Sequence, residues 1–221
     1  MSKNIRYKLT NQDMITYNTC QWTLNEWKET SGNGKLCSNG WLHCYSNPLL
    51  AILLNPTHAN IDNPRLFEIE VEGENLTDNG LKEGWTRMRI VKELDIPKIT
   101  RIQMVAFGIL CALEVNKNET FIKWANNWLS GKDRSKESAY DAYVSVYAAN
   151  VSDSVSDYDY YAADAAARSA AAANADNAAN DSVSAYDYSA ARSAADAAAY
   201  YADRDEKINL IEIAKKAMKV K

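Results

Sequence analysis

Polar and apolar residues alternate at a period of two in the first part of the chain and recur at helical spacing in the second. Ile5-Arg-Tyr-Lys-Leu9 alternates as a half-buried strand does, and Gln21-Trp-Thr-Leu-Asn-Glu-Trp-Lys28 reads as a second extended stretch, with a turn after it at Ser31-Gly-Asn-Gly34. In Gly40-Trp-Leu-His-Cys-Tyr45, successive side chains of a strand point to opposite faces. Trp41, His43 and Tyr45 are therefore predicted on one face, with Leu42 and Cys44 on the other. Ser46 or Asn47 can cap a short apolar helix that opens with Pro48 and stops at Asn55-Pro56. Leu66 to Glu72 then predicts a strand with Phe67, Ile69 and Val71 inward and Glu68, Glu70 and Glu72 toward solvent. The last strand, Trp85 to Glu93, sets Arg87 and Arg89 opposite Met88 and Ile90. Those arginines can pair with the glutamates across strands, or form a small anion site through their fork of N–H donors.

Beyond residue 96 the period changes. Thr100-Arg-Ile-Gln103 is a capping-box pattern opening a helix that is apolar nearly all round, and a second helix begins near Asn118 with a Phe121, Trp124, Ala125, Trp128, Leu129 stripe. The segment 97–131 is predicted to connect the strands to an alanine-rich helical region. From Ala139 to Asp205, 25 of 67 residues are alanine and 10 are tyrosine, and no residue after Gly131 is glycine or proline. Alanine loses no side-chain entropy in a helix, so the long window predicts helices near 135–150, 155–173 and 182–219. Turns are expected where Asn, Asp and Ser crowd, at 150–157 and 174–181. A repeat agrees with this division: the octapeptide from Asp153 to Tyr160 returns almost unchanged from Asp181 to Tyr188. Each copy leads into an i,i+4 pair, Asp164–Arg168 in the first and Arg192–Asp196 in the second. Alanine faces permit close helix approach, with tyrosine predicted to supply most of the core bulk; Tyr140, Tyr143 and Tyr147 fall on one face. At the end of the chain, Ile208, Ile211 and Met218 form a stripe expected to pack on the helix of Trp124 and Trp128.

The fold class is thus α+β, a small mainly antiparallel β-sheet domain (1–96), connecting helices (97–131) and an alanine- and tyrosine-rich helical bundle (132–221). Charge sharpens the division. The stretch 139–205 holds eleven aspartates against three arginines and no lysine, a net −8 within a chain of net −4. So acidic a block repels nucleic acid backbones, which argues against direct DNA or RNA binding. No apolar run reaches membrane-spanning length and the start has no signal-peptide core, so a cytoplasmic protein with no membrane partner is expected.

Familiar catalytic signatures are missing from the sequence: there is no GxSxG, HExxH, P-loop, GxGxxG or paired CxxC. The four cysteines (Cys20, Cys37, Cys44, Cys111) are too widely spaced for a zinc site and read as buried free thiols, so no metal and no cofactor is expected. Cys44 and His43 are neighbours on a strand and point apart, which disfavours a nucleophile–base pair.

The string Lys35-Leu-Cys-Ser-Asn-Gly-Trp-Leu-His-Cys-Tyr-Ser-Asn-Pro-Leu49, with Arg65 to Gly73 after it, resembles an uncharacterised domain common in bacteriophages and prophages. Trp124 to Ser135 and the alanine-rich region look like phage and bacterial proteins labelled as immunity proteins. Neither resemblance brings catalytic residues with it. A third likeness is to the ADP-ribosyltransferase-like fold, and it would assign His43, Tyr45 and Glu70 or Glu72 to a nicotinamide dinucleotide cleft.

These resemblances imply a phage-type accessory protein that acts by binding and counters host antiviral defence by sequestering a nucleotide immune signal. Trp41, His43, Tyr45, Arg87 and Arg89 are then the ligand-binding set. One alternative is a protein-binding inhibitor that presents Tyr140, Tyr143 and Tyr147 to a host defence protein, and another is an ADP-ribosyltransferase-like enzyme. Close-packing alanine and tyrosine surfaces also suggest a homo-oligomer.

Overall fold

The computed structural model describes residues 4–150, 157–175 and 185–221. The protein is α+β and divides into two compact units, residues 1–98 and 99–221.

The first unit is built on a long hairpin, β6 (Arg65–Asp78) and β7 (Lys82–Leu94), turned by Asn79 and Gly80, both at positive φ. β6 runs well past Glu72, where the clean alternation of the sequence ends. β1 (Ile5–Thr10) pairs antiparallel with β6; β4 (Trp27–Glu29) and β5 (Leu42–Cys44) pair with different stretches of β7. Between them, β2 (Ile15–Thr16) and β3 (Cys20–Gln21) form a separate small ribbon. Register shifts at Glu68/Ile69 and Glu72/Asn75, the second beside Gly73 at φ 86°, bend the hairpin as bulges do. The sheet curls far enough for Tyr7 and Tyr45 to exchange backbone hydrogen bonds (2.9 and 2.8 Å), joining β1 to the end of β5.

Inside the curl, Trp22, Cys44, Phe67, Ile69, Val71, Met88 and Ile90 form the core, in the alternation predicted for β6 and β7. The glutamate face is only partly solvent: Glu72 is exposed and Glu68 half-buried, but Glu70 is buried beside Arg89. Asn47 caps α1 (Pro48–Leu53) by accepting from the Leu49 N–H (2.9 Å). As the sequence predicts, this helix stops before Asn55-Pro56, and the same pair then starts a further turn, α2 (Asn55–His58), because proline fits the first turn of a helix, where its missing N–H has no role.

In the second unit, α3 (Arg101–Val115) opens with the predicted Thr100–Gln103 capping box and is buried on most sides. It packs on α6 (Asp157–Ala175), α7 (Ala185–Ala202) and α8 (Leu210–Ala217). The segment 97–131 therefore carries the central helix of this unit as well as a connection. α4 (Glu119–Leu129), capped by Asn118, packs on α5 (Lys136–Asn150), and α5 packs on α6. The i,i+4 pairs Asp164–Arg168 and Arg192–Asp196 form at 2.8 and 3.0 Å.

Three expectations need correction. Among the described residues of this unit no tyrosine is buried; alanines of α6 and α7 pack against the large side chains of α3, and the buried alanines of α5 lie where it packs on α4 and α6. A tyrosine between helices would hold their axes apart and strand its hydroxyl, so the rings go to the rim. The helix predicted at 182–219 is two, since the chain turns through Asp205 at φ 53° and restarts at the Asn209 cap of α8. And α8 packs on α3 rather than α4, burying Leu210, Ile213, Ala214 and Ala217 in place of Ile211 and Met218. The turns expected within 150–157 and 174–181, and the start of each repeat copy, lie outside the described residues. Among the described residues no helix is long and apolar enough to cross a membrane.

Candidate functional site

A cleft of about 670 Å³ opens in the first unit, within the size range of small-molecule sites. It exists because β5 presents alternate residues to two places. Cys44 faces the core and Leu42 borders both, while Trp41, His43 and Tyr45 line the cleft. Gly84 of β7 lets Trp41 lie against the sheet, as a Cβ there would come within 2.9 Å of the Trp41 Cβ. The indole N–H of Trp41 donates to the Gly34 carbonyl at 3.1 Å.

Trp22 is almost wholly buried in the cleft wall, and its indole N–H donates to Thr16 Oγ1 (3.0 Å). Lys8 lies over that ring, its Nζ 4.7 Å from the centroid, and donates to the His43 carbonyl at 2.7 Å. Burial lowers the Lys8 pKa to about 8, against the opposing effect of the Cys44 and Cys20 sulfurs. The ammonium remains the main form at neutral pH.

His43 donates through Nε2 to the Leu36 carbonyl, which sets its tautomer. Burial holds its pKa below the ordinary range despite that bond, and the nearby Lys8 and Lys82 ammoniums push the same way. Tyr45 is buried, its phenol pKa raised by loss of solvent, and stacks on His58 with centroids 5.9 Å apart. His58 comes from the end of α2. Its Nδ1 is buried without a hydrogen-bond partner, and burial, then Lys82 and His43, bring its pKa down to about 4. Tyr17, 88% exposed, and Lys82 and Asp62 complete the rim.

Cys44 is no nucleophile. Its thiol is enclosed in the core and burial pushes its pKa up to about 12. All four cysteines are free; Cys44 and Cys111 are buried as expected, whereas Cys37 is exposed.

Arg87 and Arg89 do not line the cleft. Both stack over Trp27, at 4.2 and 4.7 Å. Arg87 pairs with Glu29 (2.8 Å) and Glu72, and Arg89 grips Glu70. Their fork donors are thus spent on carboxylates, which removes the field an anion site needs. The same pairing holds Glu70 and Glu72, and among the described residues no glutamate lines the cleft.

Tyr140, Tyr143 and Tyr147 do share a face of α5, with successive centroids 6.0 and 6.5 Å apart and Tyr140 and Tyr147 more than half exposed. Arg168 of α6 lies over Tyr143 at 4.8 Å while pairing with Asp164.

Sequence patterns alone do not single out Lys8, Trp22, His58 or Lys82. Lys8 sits at a polar position of an alternating strand, which normally faces water. For the histidines the available signal was scarcity, since the chain has two and both reach this cleft.

The state of His58 is open to a direct check. An unfolded imidazole titrates near 6.5 and the folded one near 4, so the folded form resists protonation. Its stabilising contribution is complete above about pH 6.5 and is lost as pH falls toward 4. Thermal unfolding midpoints are expected to drop over that interval, and to drop less in His58→Gln; equal slopes in both proteins would contradict the burial effect.

This cleft lies wholly within a stretch with known counterparts. Residues 4–102 match the family described as a domain of unknown function (DUF7666), which spans the first unit but less than half of the chain. No curated protein and no solved structure matches the sequence.

Proposed function

We propose that the protein is a binding protein whose first unit holds a nucleotide-type ligand in this cleft and keeps it unchanged. In the setting implied by the phage-type resemblance of residues 35–49, that activity sequesters a nucleotide signal of host defence. The observation that carries the reading is one cleft that joins the aromatic side chains of Trp41 and Tyr45 to a buried ammonium at Lys8, itself seated on Trp22. Bases stack on such faces whatever their sequence, at about 1–3 kcal/mol per base, and phosphate answers the charge. What supports holding over turnover is that the Cys44 thiol faces the core, the Tyr45 hydroxyl resists ionisation, and among the described residues no glutamate lines the cleft.

The test is to mix the purified protein with cyclic di- and oligonucleotides and ADP-ribose derivatives, then recover the ligand after heat denaturation. Recovery intact supports sequestration, while recovery as a cleaved or transferred product favours the enzyme reading. Trp41→Ala is expected to weaken nucleotide binding about 10- to 100-fold, the effect of losing one stacking face. Binding unchanged by that substitution would count against the cleft.

A second reading rests on the exposed Tyr140, Tyr143 and Tyr147 ladder of α5, since aromatic rings are enriched at interface hot spots. In that case the chain inhibits a defence protein by contact. Triple substitution of the ladder by serine would abolish activity in cells while leaving nucleotide recovery intact.

A further inference from the structure

We propose that the cleft contains a subsite for a group carrying two or more negative charges, a diphosphate or phosphate ester, formed by Lys8, His43, His58 and Lys82. Filling it draws protons onto the two imidazoles. This rests on the reading of the cleft as a ligand site and specifies which part of the ligand goes where.

The charge arrangement of the first unit motivates it. Arginines of the sheet are matched to carboxylates: Arg6 to Glu83, Arg65 to Glu93, Arg87 to Glu29 and Glu72, and Arg89 to Glu70. The lysines facing the cleft are not. Among the described residues neither Lys8 nor Lys82 has a carboxylate partner. Lys8 has the His43 carbonyl and the Trp22 face, and Lys82 reaches Cys37 Sγ at 3.0 Å. An ammonium as buried as Lys8 carries a large desolvation cost unless a counter-charge arrives, and here only the cleft can supply one. His58 adds an imidazole nitrogen, Nδ1, buried without a partner beside the same cleft.

The groups facing the imidazoles set the proton balance. His43, from β5, feels Lys8 of β1 and Lys82 of β7; His58, from α2, feels Lys82 and His43 and stacks on Tyr45. The sulfurs of Cys20 and Cys44 neighbour Lys8, and burial raises the pKa of the Cys44 thiol. Among the described residues Asp62, exposed at the rim, is the one carboxylate of the lining, and Glu83 is held by Arg6. In the protein alone, burial holds both imidazole pKa values below the ordinary range, helped by Lys8 and Lys82 at His43 and by Lys82 at His58. A bound dianion reverses the local field, raises both pKa values and turns each imidazole into an additional donor. For a ligand that stays doubly charged, affinity therefore increases as pH falls through the raised imidazole pKa values.

Sulfate is the first probe, because it stays doubly charged over this range and any proton taken up must belong to the protein. Imidazole titrations of His43 and His58 by NMR, in sulfate and in chloride at equal ionic strength, are expected to show both pKa values raised by sulfate. Lys8→Met and Lys82→Met should each abolish that shift and weaken ADP binding about tenfold or more, and should weaken ADP more than adenosine. Lys82 is only half-buried, so its variant remains informative should Lys8→Met fail to fold. Imidazoles indifferent to sulfate and to pyrophosphate, or ADP bound no better than adenosine, would overturn the subsite and leave the aromatic cleft standing. Conversely, pyrophosphate binding with no binding of any nucleoside or nucleotide would keep the subsite and remove the proposed nucleotide function.

Discussion

Replacing Arg89 by leucine is expected to lower the stability of the protein by about 3 kcal/mol in urea denaturation, the low end of the range for breaking a buried ion pair. The low end applies because Arg89 is itself 30% exposed, whereas the side chain of Glu70 is only 8% exposed. The loss comes from the glutamate. Without the guanidinium its carboxylate must stay charged in a poorly solvated place or take up a proton, and both cost free energy. The cross-strand position of the pair, Glu70 opposite Arg89 in β6 and β7, means the double variant Glu70→Leu/Arg89→Leu restores apolar contact between the same strands. That double variant should be more stable than Arg89→Leu alone, a coupling that a double-mutant cycle measures directly. Strictly additive losses would mean the pair carries no buried-charge penalty.

Gly108→Val should be as damaging in the second unit, at about 3 kcal/mol, near the upper end for overpacking. Helix propensity alone predicts the opposite sign for the milder Gly108→Ala, which removes a helix-weakening glycine and should gain up to about 1 kcal/mol. Packing overrides it here. A Cβ on residue 108 of α3 would lie 2.9 Å from the Cα of Ala190 and 3.3 Å from its carbonyl oxygen, so the α7 backbone must move. Movement also disturbs Ser193, whose hydroxyl lies 2.8 Å from the carbonyls of both Gly108 and Ala162 and has one proton for the two. Ala190→Gly in the Gly108→Ala background removes only the Cβ contact at 3.2 Å, so rescue should be partial. A raised thermal midpoint in Gly108→Ala would show that the helices are not held at this separation.

Local regularities carried much of the architecture. The alternation in residues 66–72 and 85–93 predicts which side chains of β6 and β7 enter the core, because a strand's period of two allows a single apolar face. Thr100 and Gln103 announce the start of α3 because the four unpaired N–H groups of a helix start need such acceptors. Alanine content predicts helices in the second unit, and Trp41, His43 and Tyr45 fall on one strand face as the string around them requires. All of these depend on neighbours a few residues apart.

What the tertiary structure decided is what covers each face. Alternation assigns Lys8 and Glu70 to the polar side of their strands, but whether that side meets water depends on distant segments. The curl closed by Tyr7 and Tyr45 brings β5 over Lys8, in the cleft that the end of α2 also lines, and Arg89 meets Glu70 through a hairpin pairing nineteen residues apart. The same pairing took Arg87 and Arg89 out of the predicted ligand set. In the second unit, propensity marks alanine helices without saying which helix they surround; α3 takes the centre because its large apolar side chains fill the space the alanines leave, and the tyrosines are displaced to the rim. Sequence periodicity therefore determined the elements and their apolar faces, through interactions within a turn or a strand. The cleft, with its two histidines and unmatched lysines, depended on contacts between segments up to seventy-four residues apart, from Lys8 to Lys82, which no local pattern encodes.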